Sequence, residues 1–328
     1  MISDRLANQL RRKRFLSIGR AGMDFYAEPP GTELEQADTF SAHVGGSAGN
    51  IAVALAKLGC TSEILTCFSD DAVGRFAINK LQGFGVNTEG SRNVGGEARN
   101  SLAVVETRLN NCQSVIYRNG AADFDMDVSD IERIDFSNSD AIILSGTALA
   151  DEPSRSAIFR AIDLARATET LIIIDMDYRP YSWISADEAK SVYSSAISQC
   201  DIVIGNDVEF GVAAGDHSLG LDYATSLAQE TPEIVIYKKG ELGATTIIAE
   251  GSFDTGVFPV QALKPTGAGD AFMGGFIAGL ANGLDLRSAV IQGSASAAIV
   301  VTRVACSSAM PTQDELSQFL TSSTLTQN

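Results

Sequence analysis

The feature that most restricts the fold of this chain is a run of four consecutive apolar residues, Leu171 to Ile174. A strand with one face in water alternates polar and apolar residues, so a run without alternation indicates a strand buried on both faces. Similar short runs recur along the chain, separated by stretches with helical periodicity. The predicted strands are Arg14–Ile18, Ser62–Phe68, Ala141–Ser145, Leu171–Asp175, Asp201–Ile204 and Glu233–Lys238. We therefore predict an α/β fold, a parallel-sheet core with helices on both faces.

Two segments interrupt this alternation. Ala27–Val44 contains two prolines followed by a glycine and has no helical period, whereas Ser101–Arg108 and Gln113–Arg118 have the pattern of two strands joined by a short turn. Antiparallel strands outside a parallel sheet indicate either a small β lid over one edge or surface decoration. We expect residues 21–44 and 95–120 to form a β lid, and residues 1–20, 45–94 and 121–328 to form the α/β core.

Composition excludes several classes of function. The net charge is −17, so nucleic acid is a poor candidate partner. No apolar run approaches the roughly 18 residues that span a bilayer. The five cysteines are scattered and the histidines number two, which argues against disulfide frameworks, zinc sites and Ser-His-Asp triads. We expect a cytoplasmic protein that binds neither nucleic acid nor a membrane.

The most informative segment runs from Thr266 to Phe272 and opens a predicted helix that ends near Leu280. A helix N-terminus has unpaired N–H groups and positive partial charge, so Gly267, Ala268 and Gly269 are candidates for holding a phosphate close to the main chain. Asp270 follows in the first turn, where it could accept a proton from an attacking hydroxyl. The alternative is an ordinary capped helix with an aspartate in its first turn.

Further along the same predicted helix lie three glycines, Gly274, Gly275 and Gly279. Each lowers intrinsic helix stability by about 1 kcal/mol relative to alanine. We expect them to permit close packing of the helix against the sheet or against a nucleotide, which offsets that loss.

A second glycine-rich segment precedes another amphipathic helix, predicted over Asn50–Leu58. Gly45 and Gly46 can bring the main chain against a ligand, and Asn50 can donate to and accept from hydroxyl groups. A dinucleotide-binding loop is the competing interpretation, but the G-x-G-x-x-G pattern is absent after the first strand. Asp24 follows that strand, either as a ligand for a polyol hydroxyl or as a turn residue.

Arg179 follows the buried strand Leu171–Asp175, at the carboxyl edge where α/β sheets bind ligands. Its planar guanidinium group is suited to a carboxylate, which favours a sugar acid over a neutral sugar as substrate. The alternative is an arginine paired with an acidic neighbour.

Together these segments resemble the ribokinase-like (PfkB) carbohydrate kinase family. Gly45–Gly59 is similar to its N-terminal signature and Lys264–Leu280 to its C-terminal signature, and the resemblance extends from Phe15 to Pro311. It implies a ribokinase-like core with a β lid, ATP as phosphoryl donor, and Mg²⁺. It further implies that Gly267, Ala268 and Gly269 form the anion hole and that Asp270 is the catalytic base.

The resemblance also assigns residues on the nucleotide side. Asn206 and Glu209 match an N-x-x-E motif that acts on Mg²⁺ and phosphate through water, with Glu209 as the main carboxylate. Since Mg²⁺ takes few direct protein ligands, one sparse motif is sufficient. Lys239, Gly240 and Gly243 match a K-G-x-x-G turn beside the nucleotide.

Within the family, the stretches around Arg20, Arg118 and Arg179 resemble kinases of the sugar acid 5-dehydro-2-deoxy-D-gluconate, which belongs to myo-inositol catabolism. 2-Keto-3-deoxygluconate and a neutral sugar such as fructose or ribose remain alternatives. The predicted lid leaves an exposed β edge, so a homodimer through the lid is expected. A nicotinamide-dependent oxidoreductase and a binding protein without activity are the rival classes.

The sequence departs from the family pattern at Lys264 and Pro265. Many relatives have Asp and Thr before the glycine motif, where these residues help to form a monovalent-cation site. We hypothesise that the Lys264 ammonium group makes K⁺ unnecessary.

Overall fold

The computed structural model describes residues 2–326. Its strands are β1 (Arg14–Ile18), β2 (Gly22–Glu28), β3 (Thr39–Gly45), β4 (Thr61–Leu65), β5 (Cys67–Ser69), β6 (Val86–Asn87), β7 (Arg92–Val94), β8 (Leu102–Val105), β9 (Ser114–Tyr117), β10 (Ala141–Ser145), β11 (Leu171–Asp175), β12 (Ile202–Asn206), β13 (Ile234–Lys238), β14 (Ala244–Ile248) and β15 (Gly251–Thr255). Its α-helices are α1 (Asp4–Leu10), α2 (Ser47–Lys57), α3 (Ala72–Gly83), α4 (Val128–Glu132), α5 (Ser154–Ala167), α6 (Ala186–Ile197), α7 (Asp207–Ala214), α8 (Gly220–Leu227), α9 (Ala268–Ala281), α10 (Leu286–Val301) and α11 (Gln313–Ser322).

The core is a nine-stranded sheet in the order β15-β14-β13-β12-β11-β10-β1-β4-β6. From β13 to β6 every pair of neighbouring strands is parallel, and β14 and β15 continue the sheet antiparallel at one edge. The predicted parallel sheet is confirmed. Three predicted strands, Arg14–Ile18, Ala141–Ser145 and Leu171–Asp175, have the bounds that the sequence indicated.

Both faces of the sheet are covered, as the run in β11 predicted. Ile172 and Ile174 pack with residues of α5 and α6, whereas Leu171 and Ile173 pack with residues of α9 and α10. Every residue of β11 is buried. The absence of alternation in this run is therefore explained by helices that exclude water from both faces.

The predicted single strand Ser62–Phe68 is wrong. The chain forms β4 in the large sheet, leaves that sheet at Thr66, and then forms β5, which pairs with β7 instead. The backbone of Thr66 bonds to the segment that leads into β7, through its N–H to Ser91 Oγ at 3.2 Å and its carbonyl to Arg92 N at 3.2 Å. The residue pattern of Ser62–Phe68 does not show that the chain changes the strand with which it pairs.

A second sheet of four strands has the order β3-β2-β8-β9. The predicted hairpin is present as the antiparallel pair of β8 and β9. The segment Ala27–Val44, which has no helical period, contributes the end of β2 and most of β3, which pair antiparallel. No helix among residues 2–326 is both long and apolar enough to cross a membrane.

Candidate active site

A cavity of about 300 Å³ lies between the carboxyl edge of the large sheet and the inner face of the four-stranded sheet. The strand order changes direction at β1, and α/β sheets bind ligands at such points. The polar residues that line the cavity come from many separate parts of the chain: Arg20, Asp24, Ser47, Asn50, Ser114, Arg118, Thr147, Asp177, Arg179, Tyr181, Ser182, Thr266 and Asp270. Five residues that the sequence nominated, Asp24, Gly46, Asn50, Arg179 and Asp270, are among the lining residues, as is Gly267.

Helix α9 begins at the cavity. Gly267 precedes it with φ +85°, and no side chain caps the helix. A side chain at Gly267 would lie 2.7 Å from Cys306 Sγ, so both the backbone conformation and the space require glycine. Ala268 and Gly269 follow in the first turn. The N–H groups of this turn are thus free to donate hydrogen bonds to an anion in the cavity.

Asp270 is held by an asparagine from a distant helix. Asn50 Nδ2 donates to Asp270 Oδ2 at 2.7 Å, although the two residues are 220 positions apart. Asn50 Oδ1 in turn accepts from Ser307 Oγ at 2.5 Å. Burial, with the charges of Asp177 and Asp175, raises the pKa of Asp270 to about 7. A carboxyl group with this pKa can act as a base at neutral pH.

The glycines of α9 bring neighbouring helices close to it. A Cβ at Gly274 would lie 2.4 Å from Ala54 Cβ in α2, and one at Gly275 would lie 2.3 Å from Ser296 Oγ in α10. Close contact of α9 with α2 places Asn50 beside Asp270. Gly274 and Gly275 therefore pack α9 against two helices, whereas the sequence predicted packing against the sheet or a nucleotide.

The side chain of Asp24 lies directly on the main chain of Gly45. A Cβ at Gly45 would be 1.9 Å from Asp24 Oδ2. Asp24 is buried, and its Oδ1 has no hydrogen-bond partner. Gly46 has φ +93°, and a Cβ there would be 2.5 Å from Arg20 O. Gly45 therefore makes room for a buried carboxylate that lines the cavity and keeps acceptor capacity, whereas Gly46 lets the main chain approach that of Arg20.

The contacts of Arg179 correspond to the alternative interpretation, an arginine paired with an acidic neighbour. Its Nη2 lies 2.5 Å from Asp177 Oδ1, so it is paired with an acidic neighbour. The side chain is 42% exposed and also lines the cavity. Asp177 raises the pKa of Arg179, which keeps the guanidinium group charged.

Two further arginines line the cavity, and the sequence did not single them out as site residues. Arg118 pairs with Asp123, donates to Thr147 O at 3.0 Å, and stacks over the Phe124 ring at 3.9 Å. Arg20 Nη1 donates to Ser101 Oγ at 2.9 Å. Arg20 follows β1 and Arg118 follows β9, and in the sequence both belonged to the stretches that resemble sugar-acid kinases.

A group of charged and polar side chains lies beside α9, at the ends of three adjacent strands. Asp175 ends β11, Asn206 ends β12 and Lys238 ends β13. Glu209 lies in the first turn of α7, where its Oε2 accepts from Asn206 N at 2.6 Å and its Oε1 from Tyr178 N at 3.2 Å. Burial raises the pKa of Glu209 to about 7.

The predicted nucleotide-side turn follows β13. Gly240 and Gly243 have φ +58° and +84°, and a Cβ at Gly243 would lie 2.0 Å from Thr255 O. Lys239 Nζ lies 2.8 Å from Asp254 Oδ1. Asn206, Glu209 and this turn are not among the lining residues of the cavity but lie at the same sheet edge.

Comparison with known proteins identifies relatives along most of the chain. The model of the pfkB family carbohydrate kinases matches residues 12–313. A 5-dehydro-2-deoxygluconokinase of Photobacterium profundum is 38% identical over 92% of this chain and 93% of its own length. Enzymes of the same name from Bacillus cereus and Geobacillus kaustophilus are 36% and 34% identical, each over 93% of this chain and over 94% and 93% of their own lengths.

Solved structures show the same fold. A fructokinase of Xylella fastidiosa with bound ATP superposes with a TM-score of 0.83 at 23% identity, covering 94% of this chain and 98% of that one. A protein of Escherichia coli described as a ribokinase II, in complex with ATP and Mg²⁺, has a TM-score of 0.85 at 21% identity, covering 94% and 99%. The predicted ribokinase-like fold is confirmed.

The raised pKa of Asp270 has a consequence for stability. An aspartate in an unfolded chain ionises near pH 3.9, so between about pH 4 and 7 the folded state binds the additional proton and stability falls as pH rises. We predict that Asp270→Asn, which removes this cost, raises the melting temperature little at pH 4 and increasingly up to about pH 7, as measured by thermal denaturation. The exposed Asp222→Asn on α8 is the control. An equal effect of Asp270→Asn at pH 4 and pH 8 would contradict the prediction.

Proposed function

The chain belongs to the pfkB family of carbohydrate kinases, and we propose that it phosphorylates the terminal hydroxymethyl group of 5-dehydro-2-deoxy-D-gluconate with ATP. The observation that carries this proposal is the cavity in which Asp270, an uncapped helix N-terminus and three arginines meet. The names of the relatives from three genera support the choice of sugar acid. 2-Keto-3-deoxygluconate is the second candidate, because Arg179 offers the same partner to its carboxylate.

Asp270 is the base in this proposal. It accepts the proton of the hydroxymethyl group while the hydroxyl oxygen forms a bond to the γ-phosphorus and the bond to the β-phosphate oxygen breaks. Proton transfer occurs late in the loose transition state, so a carboxylate is a sufficient base. Asn50 fixes the orientation of the carboxylate by its hydrogen bond to Oδ2. The backbone N–H groups of Gly267, Ala268 and Gly269 stabilise the charge on the transferred group.

The sugar acid is held by residues on two sides of the cavity. Arg179 and Arg118 provide guanidinium groups for its carboxylate. Local positive charge is required there because the chain as a whole has a net charge of −17 and repels anions. Asp24 Oδ1, buried and without a hydrogen-bond partner, accepts from a sugar hydroxyl. Gly45 provides the space for the Asp24 carboxylate, and Gly46 brings the main chain to the wall of the cavity.

Mg²⁺ and ATP bind at the neighbouring strand ends. Among residues 2–326 no three His, Cys, Asp or Glu side chains converge in a direct metal cage. This fits Mg²⁺, which keeps most of its waters and binds nucleotide phosphates. Glu209 and Asp175 would hold those waters, since Asp175 Oδ1 has no hydrogen-bond partner. The ion would neutralise charge on the phosphates. Asn206, Lys239, Gly240 and Gly243 form the nucleotide side.

The four-stranded sheet, from residues 21–44 and 95–120, acts as the lid and as a dimer interface. Its outer face is apolar, with Phe40 38%, Val115 43% and Tyr117 60% exposed. Phe25 lies on the same face, with its ring 6.5 Å from that of Phe40. A second copy of this chain would cover the face. The use of ATP and five free cysteines support a cytoplasmic location.

We predict that an assay of ADP release over a panel of sugar acids and neutral sugars gives the highest kcat/KM with 5-dehydro-2-deoxy-D-gluconate.

Asp270→Asn should lower kcat roughly 100-fold or more with nearly unchanged ATP affinity, because it removes the proton acceptor and keeps the shape of the side chain. The Asp222→Asn variant serves again as control. Near-normal turnover by Asp270→Asn would contradict the role of the base, and a neutral sugar as the best substrate would contradict the sugar acid.

Arg179→Ala should raise the KM for the sugar acid about tenfold or more and change that for ATP less than about threefold, since charged hydrogen bonds contribute about 1.5–3 kcal/mol. Steady-state kinetics with each substrate varied measures the difference. The exposed Arg133→Ala provides a matched arginine outside the cavity. Equal weakening of both substrates would speak against a carboxylate contact.

The proposed dimer is tested by light scattering coupled to size-exclusion chromatography. Two copies are expected for the unaltered protein. Val115→Asp together with Phe40→Glu should give a monomer at micromolar concentration, because charge on a buried apolar interface is costly. Elution of the unaltered protein as a monomer at all concentrations would exclude this interface.

The surroundings of Lys264 support its proposed role. It is 0% exposed, and its Nζ donates to Thr266 O at 2.5 Å, directly before the glycine turn. An internal ammonium group at this point takes the place of an added monovalent cation. We predict that K⁺ at constant ionic strength changes kcat by less than about twofold. A several-fold gain would contradict the proposal that Lys264 replaces the cation.

A further inference from the structure

Lys238 occupies an unexpected position for a lysine. It is the last residue of β13, and its side chain is 19% exposed with Nζ 3.6 Å from Asp175 Oδ1. A Cβ at Gly269 would lie 3.2 Å from this Nζ. The ammonium group is therefore next to the first turn of α9, beside the candidate anion hole.

This arrangement places two positive charges at one point. The N-terminus of an α-helix carries roughly half a positive charge, and the lysine adds a full one. Like charges in a partly buried site repel each other strongly, because little water screens them. An anion that binds between the ammonium group and the helix would be attracted by both.

Neighbouring carboxylates keep the lysine charged in the free protein. Burial by itself would lower the pKa of Lys238, but the charges of Asp175, Glu209 and Asp270 outweigh burial and raise it. The contact to Asp175 is longer than a hydrogen bond, so the ammonium group retains donors for a ligand.

The next residue shows that this position is specific. Lys239 Nζ pairs with Asp254 Oδ1 at 2.8 Å, whereas Lys238 Nζ lies beside Asp175 and Gly269. Lys238 ends β13 and Lys239 begins the turn that follows, so the change in backbone conformation between them separates the two side chains. The sequence therefore gives two adjacent lysines, and the fold directs one of them to the helix N-terminus.

We propose that Lys238 is a further catalytic residue, whose ammonium group binds the γ-phosphoryl group of the nucleotide opposite the backbone N–H groups of α9. This rests on the proposed kinase function but not on the identity of the sugar. During transfer the sugar oxygen bonds to the γ-phosphorus, the electron pair of the breaking P–O bond stays with ADP, and the proton goes to Asp270. Lys238 stabilises the negative charge on the transferred oxygens throughout.

The experiment is isothermal titration calorimetry without sugar, using ADP and the non-hydrolysable analogue AMP-PNP, each with Mg²⁺. Lys238→Met should weaken AMP-PNP about 10- to 100-fold and ADP less than about threefold, because only AMP-PNP has a γ-phosphate. With sugar and ATP present, kcat should fall about 100-fold or more. Lys190→Met, an exposed lysine of α6, is the control for loss of a positive charge.

Loss of the lysine leaves Asp175 without its cation, so Lys238→Met is paired with a charge-balanced variant. Asp175→Asn alone and Asp175→Asn with Lys238→Met are compared. A weaker AMP-PNP complex in the double variant than in Asp175→Asn supports the role, and equal AMP-PNP affinities overturn it. An unchanged preference for AMP-PNP in Lys238→Met also overturns it. A wild-type protein that binds neither nucleotide would contradict the kinase function itself.

Discussion

Negative charge buried at the carboxyl edge of the parallel sheet is the constraint on which the active site depends. Asp175, Asp177, Glu209 and Asp270 influence one another electrostatically there, and burial raises the pKa values of three of them, Asp175, Glu209 and Asp270. Ionised groups removed from water are costly unless they are paired and hydrogen-bonded. The protein meets part of this cost with its own cations and backbone donors, and nucleotide with Mg²⁺ would meet the remainder.

The partners of these carboxylates come from elements that the parallel sheet aligns. Asp175, Asn206 and Lys238 end three adjacent strands, so a single sheet edge brings a carboxylate, a capping amide and an ammonium group together. The backbone N–H groups of Asn206 and Tyr178 bind Glu209 and fix its position. A site built on strand ends and helix starts is held more rigidly than one built on loops.

Close helix packing is the second requirement. The proposed base and the asparagine that orients it lie in α9 and α2, and these helices approach because Gly274 has no side chain to separate it from Ala54. The glycines lower the intrinsic helix propensity of α9, but they permit the close helix packing that places Asn50 beside the proposed base. Asp24 depends on glycine in the same way, since its carboxylate occupies the space where a side chain of Gly45 would be.

Much of the fold could be predicted because its signals are local. Apolar runs without alternation identified the buried strands, and β11 matched in its bounds because both of its faces are covered. The predicted strand Ser62–Phe68 failed because β4 and β5 have different partners and only the buried Thr66 lies between them. Periodicity reports burial, but it does not report which strand lies alongside.

Residue types at short, fixed spacings were sufficient to predict the glycine turns, the candidate base Asp270 and the family, although the helix predicted from Asn50 begins at Ser47. Packing of the whole chain set which distant residues meet. It placed Arg118 and Arg20 in the cavity, paired Arg179 with Asp177, and directed Lys238 rather than Lys239 toward the helix N-terminus. The physical reason is that side-chain direction and strand order depend on how the whole chain packs, and a short motif contains neither.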